Sequence, residues 1–369
     1  MKKLRKVINL VKGGKMNKTK KIRDYNISVG KLTPGQKNTI TDIAGIKVGH
    51  FSLNKKGIKT GITAILPHTK NIFKKKVVAA SHVINGFGKS IGLIQINELG
   101  TIETPIILTN TLNVGTAHQA VVKKMIEQNS DIGRKTGTVN PLICECNDQY
   151  LNDIRGLHLK EKHVFEALDQ ADDIFLEGAV GAGTGMSCYG LKGGVGSASR
   201  ELEFNNKKFN LGTLVLSNFG KKEDFRLNGM RAGEAIKNIE EKNAKKTEER
   251  EQKGSIIVIL ATDLPLNSRQ LKRVIKRASV GINRTGSYIE NGSGEIAIGF
   301  STANKIAHYE KEDIVNIKRF NENKINKVFE AAAEATEEAI YNSLITADTT
   351  KGKKGRIKYS LSKYIDQIN

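Results

Sequence analysis

The sequence predicts a layered α+β protein, on three observations. Short apolar runs separated by glycine- or asparagine-bearing turns fill the first half, and segments with apolar residues at three-to-four spacing lie among and after them. The two kinds do not alternate strictly, as a Rossmann sheet would require, so layered α+β or sandwich packing is favoured. With 369 residues, 38% of them hydrophobic, 36 Gly and 5 Pro, the chain suits a folded protein with a sizeable core rather than a disordered or fibrous one.

Taken in order, residues Asn38 to His50 alternate apolar and polar side chains and read as a half-buried strand. Thr60 to Leu66, Lys76 to Ala80, Ile91 to Ile96 and Pro105 to Thr109 read as further strands, and Ile174-Phe175-Leu176 is strand-like. Helical spacing appears at Ala117 to Gln128, Glu161 to Ala171, Asn228 to Lys237, Arg269 to Ala278 and, rich in Ala and Glu, Asn326 to Ile345. Residues 240–253 hold ten charged side chains, five of each sign, without apolar periodicity, and predict a solvated loop or frayed helix. Immediately after it, Ser255 to Asp263 becomes a nearly continuous apolar run, the pattern of a strand buried on both faces.

A formal net charge of +22 raises the question of nucleic acid. Its distribution argues against that partner. Residues 1–23, a basic tail, carry ten Lys/Arg and no acid, and residues 351–369 carry six Lys/Arg against Asp366, leaving +7 between residues 24 and 350. Aromatics are 5% with no Trp, and no basic-aromatic alternation for stacking bases appears. Nor does any run reach membrane-spanning length. The apolar stretch Val7 to Val11 is shorter than a secretory signal core, and three cysteines, Cys144, Cys146 and Cys188, cannot all pair. A reduced, cytoplasmic setting is expected.

Residues 178–196 contain eight glycines after the strand-like run, in the manner of a dinucleotide loop, but the stretch lacks a Gly-Lys-Ser/Thr ending. Glycine serving tight turns and close backbone approach is the favoured reading. The seven histidines form no ligand pair and Cys144-Glu145-Cys146 does not match a zinc knuckle, so neither metal nor cofactor is expected.

Four segments carry the functional signal: Asn38 to His50; Lys192-Gly193-Gly194-Val195-Gly196-Ser197-Ala198-Ser199-Arg200; Gly254 to Leu266; and Asn291-Gly292-Ser293-Gly294-Glu295. In that order they resemble the family of L-aminopeptidase/D-esterases and β-peptidyl aminopeptidases, the DmpA type. The likeness extends over about residues 24–350, and Ala335-Thr336-Glu337-Glu338-Ala339 is similar too. The resemblance implies an αββα four-layer sandwich, a single domain over residues 24–369, and a precursor that cuts itself once into 1–254 and 255–369. It also implies that the two pieces stay associated and assemble into a homo-oligomer. Residue by residue, the nucleophile matches Ser255, its partners Ser293 and Glu295, and an oxyanion-hole amide Asn218. Glu145 lies in a segment resembling the substrate-binding region; Tyr150 is near the family's tyrosine there, although alignment sets Gly156 at that position.

The residues make chemical sense of this. A serine hydroxyl needs a base, and an N-terminal amine, with a pKa of about 7.7–8.0, is one that cleavage itself would create. Glu295, two residues beyond Ser293 and on the same face if the segment is extended, would orient the Ser293 hydroxyl. A free substrate ammonium needs an opposite charge in its pocket, for which Glu145 is the candidate. The expected substrates are small peptides, amides or esters. Two Gly-Ser bonds compete for the cut, Gly196-Ser197 in the glycine-rich segment, read as a loop, and Gly254-Ser255 before the buried strand; the rigid strand start favours the second. The alternatives are a self-cleaving acyltransferase of the ornithine acetyltransferase type, where the nucleophile is normally threonine, and a basic protein binding nucleic acid or an anionic surface through its tails.

Overall fold

The computed structural model describes residues 19–242 and 254–368. The chain opens with β1 (Lys47–Lys55), β2 (Ile58–Leu66) and β3 (Lys75–Gly86), then helix α1 (Leu93–Leu99), β4 (Thr101–Ile102), β5 (Ile106–Asn110), α2 (Val114–Gln128), β6 (Leu142–Cys146) and α3 (Glu161–Asp169). It continues with β7 (Ser187–Cys188), β8 (Leu191–Lys192), β9 (Gly194–Phe204), β10 (Lys207–Asn218), α4 (Ala232–Lys242) and β11 (Ser255–Thr262). The last part holds α5 (Ser268–Ile275), α6 (Ala278–Arg284), β12 (Gly294–Ala307), α7 (Asn326–Ile345), β13 (Thr350–Lys351), β14 (Ile357–Lys358) and α8 (Ile365–Ile368).

Two sheets do most of the work. One has the order β1-β2-β5-β6, the other β4-β3-β12-β11-β10-β9, and two short hairpins, β7-β8 and β13-β14, complete the set. Three apolar layers separate the elements. Val48, Ile65, Leu108 and Cys146 of the first sheet meet Leu214, Leu216, Ile257 and Ile298 of the second. The outer face of the first sheet, with Ile62, Ile107 and Ile143, is covered by Ala117, Val121 and Met125 of α2 and Val164 of α3. The outer face of the second, with Val215, Ile256, Val258 and Ala297, is covered by α5, α6 and α7. The result is the αββα sandwich, each sheet burying both faces.

Strand β11 is buried along its whole length, as its unbroken apolar run predicts. Helix α7 is buried on all sides from Ala331 to Ile345, which its alanines permit. It lies so close to β9 that a Cβ on Gly196 would fall 2.0 Å from the Ala339 carbonyl oxygen. Buried carboxylates on this helix are met by cations: Arg200, fully buried, pairs with Glu334 at 2.9 Å and Glu338 at 2.8 Å, and the partly buried Arg23 reaches Glu338 at 2.7 Å. The basic segment expected as a tail to residue 23 is therefore drawn into the fold at its end, where Ile22 is also fully buried.

Several local expectations are corrected. Residues 38–46 are not strand: Ile40–Asp42 is a 3-10 turn, because the Asp42 carboxylate accepts from the Lys37 amide at 2.9 Å and Gly45 takes φ +88°, and the strand begins at Lys47. Ile91–Ile96 becomes helix α1, bracketed by Gly92 and Gly100 at positive φ; only Ile91 keeps a strand-like bridge, to Ile143. Short apolar runs of this kind fit either element until tertiary contacts choose. Ile174-Phe175-Leu176 joins no ladder, with Ile174 and Leu176 exposed. The helix read from Asn228 starts at Ala232, since Asn228 has φ +49° within a tight turn. The helix read over Arg269 to Ala278 is broken after Ile275 into α5 and α6. Within the charged segment, Glu240 is buried rather than solvated, held by Lys222 at 2.6 Å and the Tyr364 hydroxyl at 2.7 Å; residues 243–253 lie outside the described residues.

Candidate active site

Ser255 begins β11 at the centre of the six-stranded sheet, with Asn218 beside it in antiparallel register and Gly294 in parallel register on the other side. Its hydroxyl donates to the carbonyl oxygen of Gly254 at 2.6 Å, and the Gly294 amide donates to the same oxygen at 3.2 Å. Gly294 leaves room for this: a Cβ there would lie 3.2 Å from the Ser255 Oγ and 2.8 Å from the Phe87 carbonyl oxygen. The competing Ser197 sits differently. It is not in a loop but within β9, fully buried, its hydroxyl donating to the Thr213 carbonyl at 2.7 Å and accepting from the Ile40 amide at 2.8 Å.

Ser293 and Glu295 flank Gly294. The Ser293 hydroxyl donates to Glu295 Oε1 in a short hydrogen bond, the pairing that two-residue spacing predicts. Burial pushes the Glu295 carboxyl up to about 7, opposed by the Ser293 hydroxyl, its own backbone and the nearby Asn85 amide, which favour the charged form. Asn218, last residue of β10, accepts from the Ser187 amide at 2.9 Å and donates through Nδ2 to the Asn147 carbonyl at 3.0 Å.

Glu145 is buried on β6, where its Oε1 accepts from the Lys89 amide at 2.8 Å and its Oε2 from the Thr111 hydroxyl. The segment Phe87-Gly88 spans the gap between Glu145 and Ser255: Phe87 adjoins Gly294, and a Cβ on Gly88 would lie 3.6 Å from Glu145 Oε1. Cys146 fastens the same strand to the other sheet, its thiol donating to the Leu216 carbonyl at 3.4 Å.

Tyr150 is not brought together with these groups. Its ring carries Arg356 and Lys358, at 4.8 and 4.7 Å from the centroid, and its carbonyl accepts from Arg356 at 3.2 Å, so its contacts run to the C-terminal segment. Gly156 ends a 3-10 turn. The residues that sequence patterns missed act mainly through backbone or amide groups: Asn147, Ser187, Lys89 and Asn85. Backbone groups leave no residue-type signature, and the Asn85 side chain, 205 to 208 residues from its partners, has no local spacing to mark it. The Gly-x-Ser-x-Gly elbow, read from the sequence as absent, does occur, at Gly88-Lys89-Ser90-Ile91-Gly92, which corrects that reading; but Ser90 lies beside the Cys144 thiol, and among the described residues no histidine bonds its hydroxyl as an esterase elbow requires. The glycine-rich stretch packs as a close-approach segment, with fully buried Lys192 donating to the Gly183 carbonyl at 2.8 Å and to the Gly193 carbonyl at 2.5 Å.

A shallow cavity lined by Gly220, Asp224, Gly254, Tyr288, Glu290 and Ser293 opens beside the Gly254-Ser255 bond. Among the described residues, no group of three or more His, Cys, Asp or Glu is arranged to hold a metal, and no helix is long and apolar enough to cross a membrane.

The profile of Peptidase family S58 matches residues 38–358. The chain belongs to peptidase family S58. It is 38% identical over 340 residues to the β-peptidyl aminopeptidase BapA of Sphingosinicella microcystinivorans, covering 87% of this chain and 85% of that protein. The crystal structure of the PH0078 protein from Pyrococcus horikoshii OT3 is 52% identical with a TM-score of 0.88, covering 95% of this chain and 98% of that one. The L-aminopeptidase D-Ala-esterase/amidase of Ochrobactrum anthropi, described as a variant of the Ntn hydrolase fold, is 33% identical with a TM-score of 0.85, covering 94% and 97%. This S58 member is thus a peptidase with the Ntn hydrolase fold, an α+β sandwich.

Proposed function

We propose that the protein is an aminopeptidase that activates itself by cutting the Gly254-Ser255 bond and then uses Ser255 as nucleophile on small peptides, amides or esters with a free amine. The observation that carries this is the 2.6 Å hydrogen bond from the Ser255 hydroxyl to the Gly254 carbonyl, at the first residue of a fully buried strand. In the cut, Ser255 Oγ adds to the Gly254 carbonyl carbon, and the Gly294 N–H, already on that oxygen, supports the negative charge. Collapse breaks the C–N bond and transfers the acyl group to oxygen, the nitrogen taking the hydroxyl proton. Water then hydrolyses the ester, leaving a Gly254 carboxylate and a free Ser255 amine.

In turnover that amine takes the proton from its own hydroxyl as Oγ attacks the substrate carbonyl, and returns it to the leaving amine. The Ser293 hydroxyl, oriented by Glu295, holds the amine in place. Asn218 carries two N–H bonds on Nδ2, one on Asn147 and the second for the substrate oxyanion. Glu145 receives the substrate ammonium, which its burial favours by strengthening the charge interaction. The two pieces stay joined, a reading supported by the ion pairs of Arg200 with Glu334 and Glu338, which run between the expected pieces. Three buried free cysteines accord with a reducing cytoplasm. Exposed Val83, Phe87, Ile91 and Ile94 accord with assembly into a homo-oligomer.

Terminal sequencing and intact mass of the purified protein test this reading. The smaller piece should begin at Ser255, and Ser255→Ala should remain one inactive chain. A smaller piece beginning at Ser197, or a Ser255→Ala protein that still splits and works, overturns it.

A further inference from the structure

The turn that presents Ser293 is held from another strand. Asn85, near the end of β3, pairs with Glu295 at the bulge where the β3-β12 register slips between Glu295 and Ile296. Its side-chain Nδ2 donates to three carbonyls of the turn: Glu290 at 3.0 Å, Asn291 at 3.4 Å, and Ser293 in a short contact. It also stands opposite Glu295 across the ladder, where its amide dipole favours the charged carboxylate. One planar amide shared among three carbonyls that run up to Ser293 fixes the position of the turn, not just one bond.

The turn needs such a tie. Ile289 adopts φ +66°, a left-handed conformation that a β-branched side chain resists, and Tyr288 and Asn291 are exposed. Ile289, partly buried, is the segment's contact with the core, and no residue from 288 to 292 is fully buried, in contrast to Glu295.

We propose that Asn85 is a positioning residue for hydrolysis, its side-chain amide holding the 290–293 turn so that the Ser293 hydroxyl and the Glu295 carboxylate meet beside Ser255. This rests on the reading that those two residues serve Ser255. The groups facing Glu295 are Ser293, the Glu290 carboxylate, the Cys146 thiol and the amine that cutting would free at Ser255. Removing Asn85 withdraws a donor that favours the charged carboxylate, so the carboxyl rises further and the acidic limb of the pH profile moves up.

The test measures kcat, KM and the pH profile for Asn85→Ala and Asn85→Asp. The Asp variant keeps the shape but cannot donate when ionised, and it carries the test if the Ala variant misfolds. Both should lose on the order of a hundredfold in kcat, as loosely held catalytic groups do, with KM little changed and the acidic limb at higher pH. Wild-type kcat and an unmoved limb in either folded variant overturn the proposal, as does a kcat loss that follows lowered thermal stability with the limb unmoved. Glu295→Gln in the same assay separates the two layers. If it retains full kcat, the underlying reading fails; if it is inactive while the Asn85 variants match wild type, only the role of Asn85 fails.

Discussion

Asn218 and Ser255 stand opposite one another, the last residue of β10 against the first of β11, so the amide and the hydroxyl are set by a single antiparallel register. A strand slip of one residue would turn one of them to the other face.

From that pairing follows the first prediction. Asn218→Ala should lower kcat by roughly 10²–10³, the cost of losing one oxyanion donor, while KM changes less. Steady-state kinetics on a peptide amide decide it. An unchanged kcat would leave Asn218 with only its structural bonds to Ser187 and Asn147.

Glu145→Gln should weaken substrates bearing a free amine much more than matched amides or esters without one, because only the former lose a charge partner. The variant keeps an acceptor for the Lys89 amide, so the local fold should survive. Comparing kcat/KM for the two substrate classes is the check, and an equal loss in both would refute an ammonium-binding role.

Glu295 predicts the pH dependence of precursor stability. Its folded carboxyl titrates at about 7, against an ordinary value of about 4.3. Between those values the unfolded chain has released a proton that the folded chain keeps, so stability falls as pH rises through that window. In the uncut Ser255→Ala background, Glu295→Gln should raise Tm more at pH 8 than at pH 5. Thermal unfolding at both values measures it, and a larger gain at pH 5 would contradict the burial argument.

Glu338→Ala strips a partner from fully buried Arg200 and from Arg23 at once. Arg200 keeps Glu334, so the loss should fall below the about 3–5 kcal/mol of a wholly uncompensated buried charge, yet denaturant titration should register it. After the cut, the same change should loosen the two pieces, seen as separation on size-exclusion chromatography in dilute denaturant where the wild type stays together. Wild-type stability would mean that water or a neighbour replaces the lost carboxylate.

Much of this protein was legible before any coordinates. The unbroken apolar run from Ser255 dictates a strand buried on both faces, because only such a strand tolerates apolar side chains at every position. The Ser-x-Glu spacing brings Ser293 and Glu295 to a shared hydrogen bond by local geometry alone. The long alanine-rich helix likewise follows from propensity and period. Tertiary structure decided what local pattern leaves degenerate. Ile91 to Ile96 has the apolar content of a short strand, and Gly92 and Gly100 at positive φ cap the helix that most of it joins, leaving Ile91 bridged to β6. Gly196-Ser197 and Gly254-Ser255 look alike as dipeptides; packing against α7 locks the first inside a ladder, and the Gly294 amide meets the carbonyl of the second. Asn147 and Lys89 reach the site through backbone groups, which carry no sequence pattern because every residue has a backbone to offer, and the Asn85 side chain comes from a strand about two hundred residues away, so no local spacing marks it.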